Sequence, residues 1–506
     1  MNVLEELPMV SILVLTYHEI TEDPRVFKQA RALAKAGHSI TAISDRPEGY
    51  AAAETCEGID VTRVVAFDPW AMKPDDMEFT LDYVRSGPKS RELLTPLLTH
   101  TFTRPDYPPI SARLKEVLEA PRFQKAYYRN ASGLSRMRRK AEHIAFKSIA
   151  KLRLRSDENA AAKLLKKQAK AKRDLNMIVR EMAQCNSFIF AKQVLQVELK
   201  TIPDIVHAHD LYTLPAALLL KKKYGCKVVY DAHEIETARA SKIPEGGEQY
   251  VDDLELDCLE HVDALVTVSY TIADFYAQRF DGPHPTVVMN APEVSLTKEQ
   301  AREQGKDIRS LLGLGEEVPL LVYTGGIQRE NRGLDKVAQA LTELPDVHLV
   351  TVGPRHHIND EWLRNHAEVN KVSNRVHLVD AVPADEVVGV ISSADCAIIP
   401  IQGVTLSYQL AMPNKLFEAA TAQMPIVVSD LPDMRAFVEE LGIGRAISEN
   451  SPTGIAETVK IVLNNKTDYA GRRDYVQIMQ KQYSWSAQVE RLLHLYQDLT
   501  KVGQLT

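Results

Sequence analysis

The sequence predicts an α/β protein built from two doubly wound, Rossmann-like domains. Short apolar runs of strand length recur along the chain, and segments with the apolar stripe of a helix separate them. Runs that are apolar throughout are typical of parallel strands buried on both faces. The length of 506 residues exceeds one typical domain. Ligands of such sheets are expected in the loops at the carboxyl ends of the strands.

The composition is that of an ordinary globular protein and excludes several classes. Apolar residues make up 45% of the chain, and the formal net charge of −7 gives no overall nucleic-acid signature. The five cysteines form no C-x-x-C pair, which argues against a zinc site or a disulfide framework. No signal peptide and no apolar stretch of about 18 residues is recognised. We therefore expect a cytoplasmic protein.

The chain opens with a β-α-β unit. A strand over residues 10–16 leads to a helix with Asp23 as N-cap and Gly37 just after its end, and a second strand covers residues 39–44. The motif G-x-G-x-x-G is missing, which argues against a nicotinamide-dependent dehydrogenase. The polar residues in the loops at the carboxyl ends of these strands are His18, Glu19, Arg25 and Asp45.

The α/β alternation stops between residues 70 and 176, which we interpret as a helical insertion. Within it, residues 111–174 carry about three basic residues for each acidic one. Two interpretations stay open: a solvated helical face, or a basic surface for anionic lipid headgroups or a phosphate-bearing acceptor. The second leaves open a peripheral position at the inner face of the membrane. Nucleic acid fits less well, because few aromatic residues are interleaved.

Polar side chains gather at the ends of four later strands, over residues 204–210, 227–234, 263–269 and 286–290. They are His207, His209, Asp210, Asp231, His233, Glu234, Ser269 and Asn290. Several such residues at equivalent positions of a sheet favour a functional site over separate structural roles. A metal site is a rival interpretation. Because His207 and His209 alternate along a strand buried on both faces, we do not expect them to converge.

The composition turns polar over residues 291–318, which we predict to be a linker into a second domain. The first strand of that domain leads into a loop over residues 325–333. Its glycines Gly325 and Gly326 let the backbone approach a ligand, and its arginines Arg329 and Arg332 can contact phosphate oxygens. The loop lacks a Walker lysine–serine pair, which argues against a P-loop kinase or ATPase.

A short helix is predicted to begin at Pro413 as its first residue, ahead of a buried strand at residues 426–428. The free N–H groups and the positive dipole of its first turn form a site for an anion such as a diphosphate. Asn414, Lys415 and Glu418 share one side of this helix. The Glu418 carboxylate can accept hydrogen bonds from ribose hydroxyls. The alternative is an ordinary surface helix with an exposed Lys415–Glu418 pair.

These motifs resemble those of family 4 glycosyltransferases, which have the GT-B fold. The resemblance is most specific at residues 413–418, 325–333 and 231–234, and it covers most of the chain apart from residues 70–176. It implies two Rossmann-like domains facing a cleft: an acceptor-side domain over 1–290 with the insertion, and a nucleotide-sugar domain over 291–480. A helix within 481–506 would cross back to the first domain.

The resemblance implies a retaining glycosyltransferase that moves a sugar from a nucleotide-diphospho-sugar to a saccharide or lipid-linked acceptor. The commonest setting of such enzymes is surface polysaccharide or glycolipid synthesis. No cofactor and no metal is implied, because charges of the protein neutralise the diphosphate. The implied roles are catalytic for His233, Arg332 and Glu418; donor-binding for Gly325, Gly326, Arg329, Arg332, Asn414, Lys415 and Glu418; and acceptor-side for His18, Arg25, His209 and Asp210.

Two positions depart from the pattern of the family. Leu410 stands where the family has the first of two glutamates eight residues apart, and Ile327 occupies the position of a usual arginine. The first departure leaves the donor sugar open. Two alternatives also stay open: a sugar-nucleotide epimerase of the same fold, and a non-catalytic scaffold that binds nucleotide-sugars.

Overall fold

The computed structural model describes residues 9–47, 49–64, 186–238, 247–410, 412–470 and 473–501. The predicted insertion at 70–176 and its basic part at 111–174 lie outside the described residues. The chain divides into two compact units, residues 1–231 with 243–263 and residues 232–242 with 264–506. The predicted domain boundary at residue 290 stays a prediction.

The first unit contains a mainly parallel sheet. Its strands are β1 (Ser11–Leu15), β2 (Ser39–Asp45), β3 (Ala53–Cys56), β4 (Ile59–Val64), β5 (Ile205–His209) and β6 (Lys227–Ala232). Its helices are α1 (Pro24–Lys35), α2 (Asn186–Gln196), α3 (Leu214–Tyr224) and α4 (Gly247–Leu259), with 3-10 turns at Ile20–Glu22 and Leu211–Thr213. The strands follow the order β3-β4-β2-β1-β5-β6, and β3 alone runs antiparallel to its neighbour β4.

Helix α1 confirms the sequence signals at both of its ends. The Asp23 carboxylate accepts hydrogen bonds from the N–H groups of Arg25 and Val26, which satisfies two donors of the first turn. Gly37 follows the last residues of the helix with a φ of 95°, a conformation that favours glycine. The helix thus places the loop before Pro24 at the carboxyl end of β1.

The second unit contains the remaining strands and helices. The strands are β7 (Ala264–Thr267), β8 (Thr286–Val287), β9 (Leu320–Thr324), β10 (His348–Val352), β11 (Val376–Val379), β12 (Cys396–Ile399), β13 (Ile426–Val428) and β14 (Gly444–Ala446). The helices are α5 (Tyr270–Ala277), α6 (Lys298–Glu303), α7 (Ile308–Leu312), α8 (Leu334–Ala340), α9 (His357–Val369), α10 (Val387–Ile391), α11 (Leu406–Gln409), α12 (Asn414–Thr421), α13 (Pro432–Glu440), α14 (Pro452–Asn464), α15 (Lys466–Ala470), α16 (Arg473–Ile478) and α17 (Trp485–Lys501). Short 3-10 turns lie at Glu236–Ala238, Leu341–Glu343 and Ser373–Arg375, and a π-helical turn lies at Met479–Tyr483.

The main sheet of the second unit is parallel throughout, in the order β11-β10-β9-β12-β13-β14. Its central strand β9 is buried along its whole length. Leu320 and Val322 face one apolar core, whereas Leu321 and Tyr323 face another. Such two-sided burial explains the continuous apolar runs in the sequence. The prediction of doubly wound parallel sheets is confirmed.

The predicted helix near the end of the chain is α17. Its residues Leu492 and Tyr496 are buried, and Gln488 accepts a hydrogen bond of 3.0 Å from the N–H of Met289. The crossing of this helix to the first domain stays a prediction. Among the described residues, no helix is both long enough and apolar enough to cross a bilayer.

Candidate functional site

The carboxyl end of β9 forms the centre of the candidate site in the second unit. The strand ends at Thr324, and Gly325 then turns with a φ of 105° while its N–H donates to the Val352 carbonyl at 2.7 Å. A side chain on Gly353, just after β10, would overlap the backbone of Gly325. Gly353 therefore lets the loops after β9 and β10 approach each other closely, while Gly325 permits the turn that follows β9.

Helix α12 lies beside this strand end. It begins at Asn414, and Pro413 is its N-cap, with φ −74° and ψ 148°. The prediction that Pro413 is the first helical residue is therefore wrong by one position, because the extended ψ places Pro413 outside the helix. Leu416 and Phe417 are fully buried and anchor the helix in the core, while Asn414 is exposed at its amino end.

Two charged side chains of α12 contact the end of β9. The Glu418 carboxylate accepts a hydrogen bond of 2.5 Å from the Thr324 hydroxyl. The Lys415 ammonium donates to the Tyr323 hydroxyl at 3.3 Å and lies 4.5 Å from the centre of the Tyr323 ring. A Cβ on Gly325 would lie 3.4 Å from the Lys415 Nζ. The structure therefore brings Gly325, Lys415 and Glu418 together, as two separate motifs of the sequence suggested.

Tyr323 and Thr324 are members of this site that sequence reasoning missed. Both are buried, with exposed fractions of 1% and 7%. The sequence shows them only as the end of an apolar strand. Their partners lie 92 and 94 residues further along the chain, so no local spacing pattern could reveal the contacts.

The two arginines of the 325–333 loop have different surroundings. Arg332 is half-buried, donates from Nε to the Gln328 amide oxygen at 2.9 Å, and lies with its Cζ 5.3 Å from the centre of the Tyr408 ring. Arg329 is exposed and makes no hydrogen bond or ion pair with any part of the chain that the structure describes. Of the two, Arg332 is the one held in a defined position.

Gly326 and Ile327, in the same loop, differ in the space available for a side chain. Ile327 is only 4% exposed and packs in the core, and its carbonyl accepts a hydrogen bond of 2.8 Å from the Asn359 amide. A charged side chain at position 327 would therefore point into apolar surroundings. At Gly326 an added Cβ would meet only the Pro354 carbonyl, at 3.9 Å. Gly326 therefore has room for a side chain where Ile327 does not.

The first unit has a buried polar network around Asp231, the penultimate residue of β6. Arg25 donates to both carboxylate oxygens at 2.9 and 3.1 Å, and Gln29 donates to one of them at 3.0 Å. His207 and His209 lie 3.6 and 3.4 Å from the same oxygen, with their rings stacked at 4.3 Å. The expectation that these histidines do not converge is wrong, because residues two apart along a strand share one face.

His207, His209 and Asp231 offer ligand atoms within 4.8 Å of one another, which is the spacing of a metal site. However, the Arg25 guanidinium already neutralises the Asp231 carboxylate, and Gln29 adds a further hydrogen bond. A cation there would have to displace or oppose a buried positive charge. We therefore interpret the cluster as an internal hydrogen-bonded network, and the predicted absence of a metal site stays a prediction.

The remaining predicted site residues follow strand ends. Asp210, directly after β5, has φ 61° and ψ 161°, a strained conformation for a residue other than glycine. Its N–H donates to the Asp231 carbonyl at 3.0 Å. His18 is exposed in the loop after β1, and His233 is half-buried in the bend after β6. Arg25 and His209 are both buried in the network around Asp231. Their acceptor-side role stays a prediction.

Two family profiles match the chain. Residues 175–291 match the profile described as "Glycosyltransferase Family 4", and residues 318–465 match the one described as "Glycosyl transferases group 1". These two ranges contain the ends of β5 and β6 and the loop-and-helix site described above, whereas His18 and Arg25 lie outside both ranges.

Curated relatives and solved structures agree with these profiles. A glycogen synthase of Mycobacterium tuberculosis is 26% identical over 270 residues, which is 52% of this chain and 61% of that protein. An alpha-maltose-1-phosphate synthase of Mycolicibacterium smegmatis is 24% identical over 58% of this chain and 79% of that protein. A sucrose-phosphate synthase structure from Thermosynechococcus elongatus has a TM-score of 0.64 at 12% identity, covering 97% of this chain and all of that one. The last likeness concerns the fold alone.

Proposed function

This chain belongs to the family 4 glycosyltransferases with the GT-B fold, and from that membership we propose that it transfers a sugar from a nucleotide-diphospho-sugar to an acceptor. One observation of the structure supports the proposal most directly. Lys415 and Glu418, a cation and a carboxylate three residues apart on α12, both contact the end of β9 beside Gly325. A cation can bind a diphosphate, and a carboxylate can accept hydrogen bonds from ribose hydroxyls.

The chemistry requires stabilisation of separating charges. When the bond between the anomeric carbon and the diphosphate breaks, positive charge develops on the sugar ring and negative charge on the departing oxygen. Lys415, Arg332 and the amino end of α12 would stabilise the departing diphosphate, since fixed donors aimed at developing charge lower the barrier. Glu418 would orient the ribose. The proposal includes no metal ion, because these groups supply the positive charge.

The acceptor and the stereochemistry are further parts of the proposal. The names of the relatives, a glycogen synthase and an alpha-maltose-1-phosphate synthase, support a saccharide acceptor. We propose retention at the anomeric carbon, as in the family. His233 would lie near the transferred sugar, and a lipid-linked acceptor remains the alternative to a free saccharide.

A thermal-shift screen tests donor binding. The purified protein is heated with UDP, ADP, GDP, CDP or dTDP, or with their glucose conjugates, with and without magnesium. A ligand at a hundred times its dissociation constant should add about 2.7 kcal/mol to the free energy of unfolding. We expect stabilisation by one nucleotide, with no need for magnesium. Failure of every nucleotide to shift the melting temperature would overturn the proposal.

Turnover of the same donor tests the assigned residues. Glu418→Ala and Arg332→Ala should each lower kcat/KM by about a hundredfold, because each removes a charge-assisted contact with the donor. Glu439→Ala and Arg364→Ala change exposed residues of the same types and should leave activity unchanged. Near-normal activity of both site variants would refute the residue assignment. Donor binding without turnover in the wild type would favour the scaffold alternative.

A further inference from the structure

The hydroxyl of Thr324 fixes the position of the Glu418 carboxylate. Thr324 is the last residue of β9 and pairs with Val352 of β10, while β12 pairs with β9 as far as Val322, so the sheet fixes the backbone that leads to Thr324. Its hydroxyl donates to Glu418 over 2.5 Å, and the side chain is 7% exposed. A hydrogen bond from a neutral donor to a carboxylate is stronger than one between neutral groups. Thr324 therefore restricts the rotamers of Glu418.

The side chain of Tyr323 fixes the position of the Lys415 ammonium. Tyr323 is 1% exposed, and its ring packs in the core that also contains Ile327 and Leu334. Its hydroxyl accepts from Lys415 at 3.3 Å, and its ring centre lies 4.5 Å from the ammonium. An ammonium this close to an aromatic ring gains cation–π attraction. A long, flexible lysine side chain is thereby held next to Gly325.

We infer that Tyr323 and Thr324 are positioning residues of the donor site, the first acting through Lys415 and the second through Glu418. Successive side chains of a strand point to opposite faces. At the end of β9, Tyr323 therefore contacts the Lys415 ammonium and Thr324, on the other face, contacts the Glu418 carboxylate. The strand thus fixes the spacing between these two charged groups. This inference rests on the proposed function, since it assigns Lys415 to the diphosphate and Glu418 to the ribose.

Calorimetric binding measurements separate the two roles. The probes are UDP, ADP and GDP, each with its 2′-deoxy counterpart and its nucleoside monophosphate. Thr324→Val keeps the shape of the side chain but removes the hydroxyl. We expect it to raise the dissociation constant of the ribonucleoside diphosphate about tenfold and to reduce the preference for ribose over deoxyribose. Thr324→Ser restores a hydroxyl and should recover most of that preference.

Substitutions of Tyr323 should affect binding of the diphosphate part of the nucleotide. Tyr323→Phe removes the 3.3 Å hydrogen bond but keeps the ring, and Tyr323→Leu removes both. We expect the leucine variant to weaken diphosphate binding about tenfold while monophosphate binding changes little, with a smaller effect of the same kind for phenylalanine. The preference for ribose should stay as in the wild type.

The controls are buried residues of the same types outside the site. Thr351 in β10 and Tyr475 in α16 have exposed fractions of 0% and 3%, so Thr351→Val and Tyr475→Phe test general damage to the core. The inference is wrong, while the proposed function stands, if the wild type binds UDP, ADP or GDP and two results follow. Thr324→Val keeps the preference for ribose over deoxyribose, and Tyr323→Leu keeps the preference for diphosphate over monophosphate. If the wild type binds none of these nucleotides and none of the others in the thermal-shift screen, the proposed function fails and the inference fails with it.

Discussion

Glu19 and Arg63 form an ion pair in which both side chains are fully buried. Arg63 donates to the two carboxylate oxygens at 2.6 and 2.9 Å and also contacts Glu54. Burial alone would raise the pKa of Glu19, but the hydrogen bonds from Arg63 and Thr21 outweigh it and hold that pKa below its usual range. Glu19, one of the polar residues in the loop after β1, thus has a structural partner.

The pair predicts a pH-dependent loss of stability on substitution. Glu19→Gln should lower the free energy of unfolding by about 3 kcal/mol near pH 7, because it leaves a buried guanidinium without its main partner. Because the pKa of Glu19 is lower in the folded protein than in the unfolded chain, where it is about 4.3, the ionised carboxylate stabilises the fold above that pH. This contribution is lost as the pH falls from about 4.3 through the lower pKa of the folded protein. Urea unfolding at pH 7 and below pH 4 should therefore show a difference between variant and wild type that shrinks in acid.

An exposed pair provides the matched control for Glu19. Glu57 lies 3.3 Å from Arg31, with a side chain that is 48% exposed. Glu57→Gln should change stability by less than about 1 kcal/mol. A Glu19 variant no less stable than the Glu57 variant at pH 7 would contradict the structural role of the buried pair.

At the scale of elements, the start of α8 depends on one glycine. Gly333 precedes Leu334 with a φ of 69° and has no side-chain cap. A Cβ at this position would overlap the Pro400 carbonyl and come within 2.7 Å of the Gln402 amide nitrogen. Both the backbone conformation and the close approach of the loop after β12 therefore require glycine next to Arg332.

Gly333→Ala should lower the free energy of unfolding by about 2–5 kcal/mol, from the left-handed conformation and the overlap together. Gly326→Ala, seven residues earlier in the same loop, has ordinary φ and room for a Cβ, and should cost less than about 1 kcal/mol. Urea unfolding of the two variants measures the difference. Equal effects would mean that the loop adjusts at Gly333 without cost.

Strands that are buried on both faces were predicted correctly, because their sequences are continuous apolar runs. Strands such as β1 and β9 are buried along nearly all of their length, and the sequence places them within two residues of their observed ends. The strands β3, β4 and β14 were not predicted. In β4 buried residues alternate with half-buried polar ones, so it lacks the continuous apolar run of the other parallel strands. The strands β3 and β14 are only three or four residues long and largely exposed or half-buried, so neither shows an apolar run. Their hydrogen-bonded neighbours in the sheet, and not their composition, make them strands.

At the scale of the whole molecule, the basic region at 111–174 stays a prediction from sequence and lies outside the described residues. If it binds anionic lipid, the full-length protein should float with phosphatidylglycerol vesicles at low salt and separate from them at about 1 M salt, where the Debye length falls to about 3 Å. Flotation after centrifugation measures this, with phosphatidylcholine vesicles as the control. Lack of flotation at low salt would favour a solvated helical face.

By itself, the sequence determined the parallel α/β architecture and the motifs of the family. These properties depend on apolar runs, helix caps and short-range spacings, which a linear pattern can express. The positions of Gly325, Lys415 and Glu418 within recognisable motifs belong to this category. The assignment of the chain to the family 4 glycosyltransferases rests on the same information.

Only the tertiary structure decided which side chains meet. The contacts of Thr324 with Glu418 and of Tyr323 with Lys415 join positions more than 90 residues apart. The network of Arg25 and Gln29 on Asp231 spans more than 200 residues. Hydrogen bonds and ion pairs depend on distances of a few ångströms, and packing of the sheets sets those distances. A linear pattern can therefore name the charged groups of a site but not the neighbours that hold them in place.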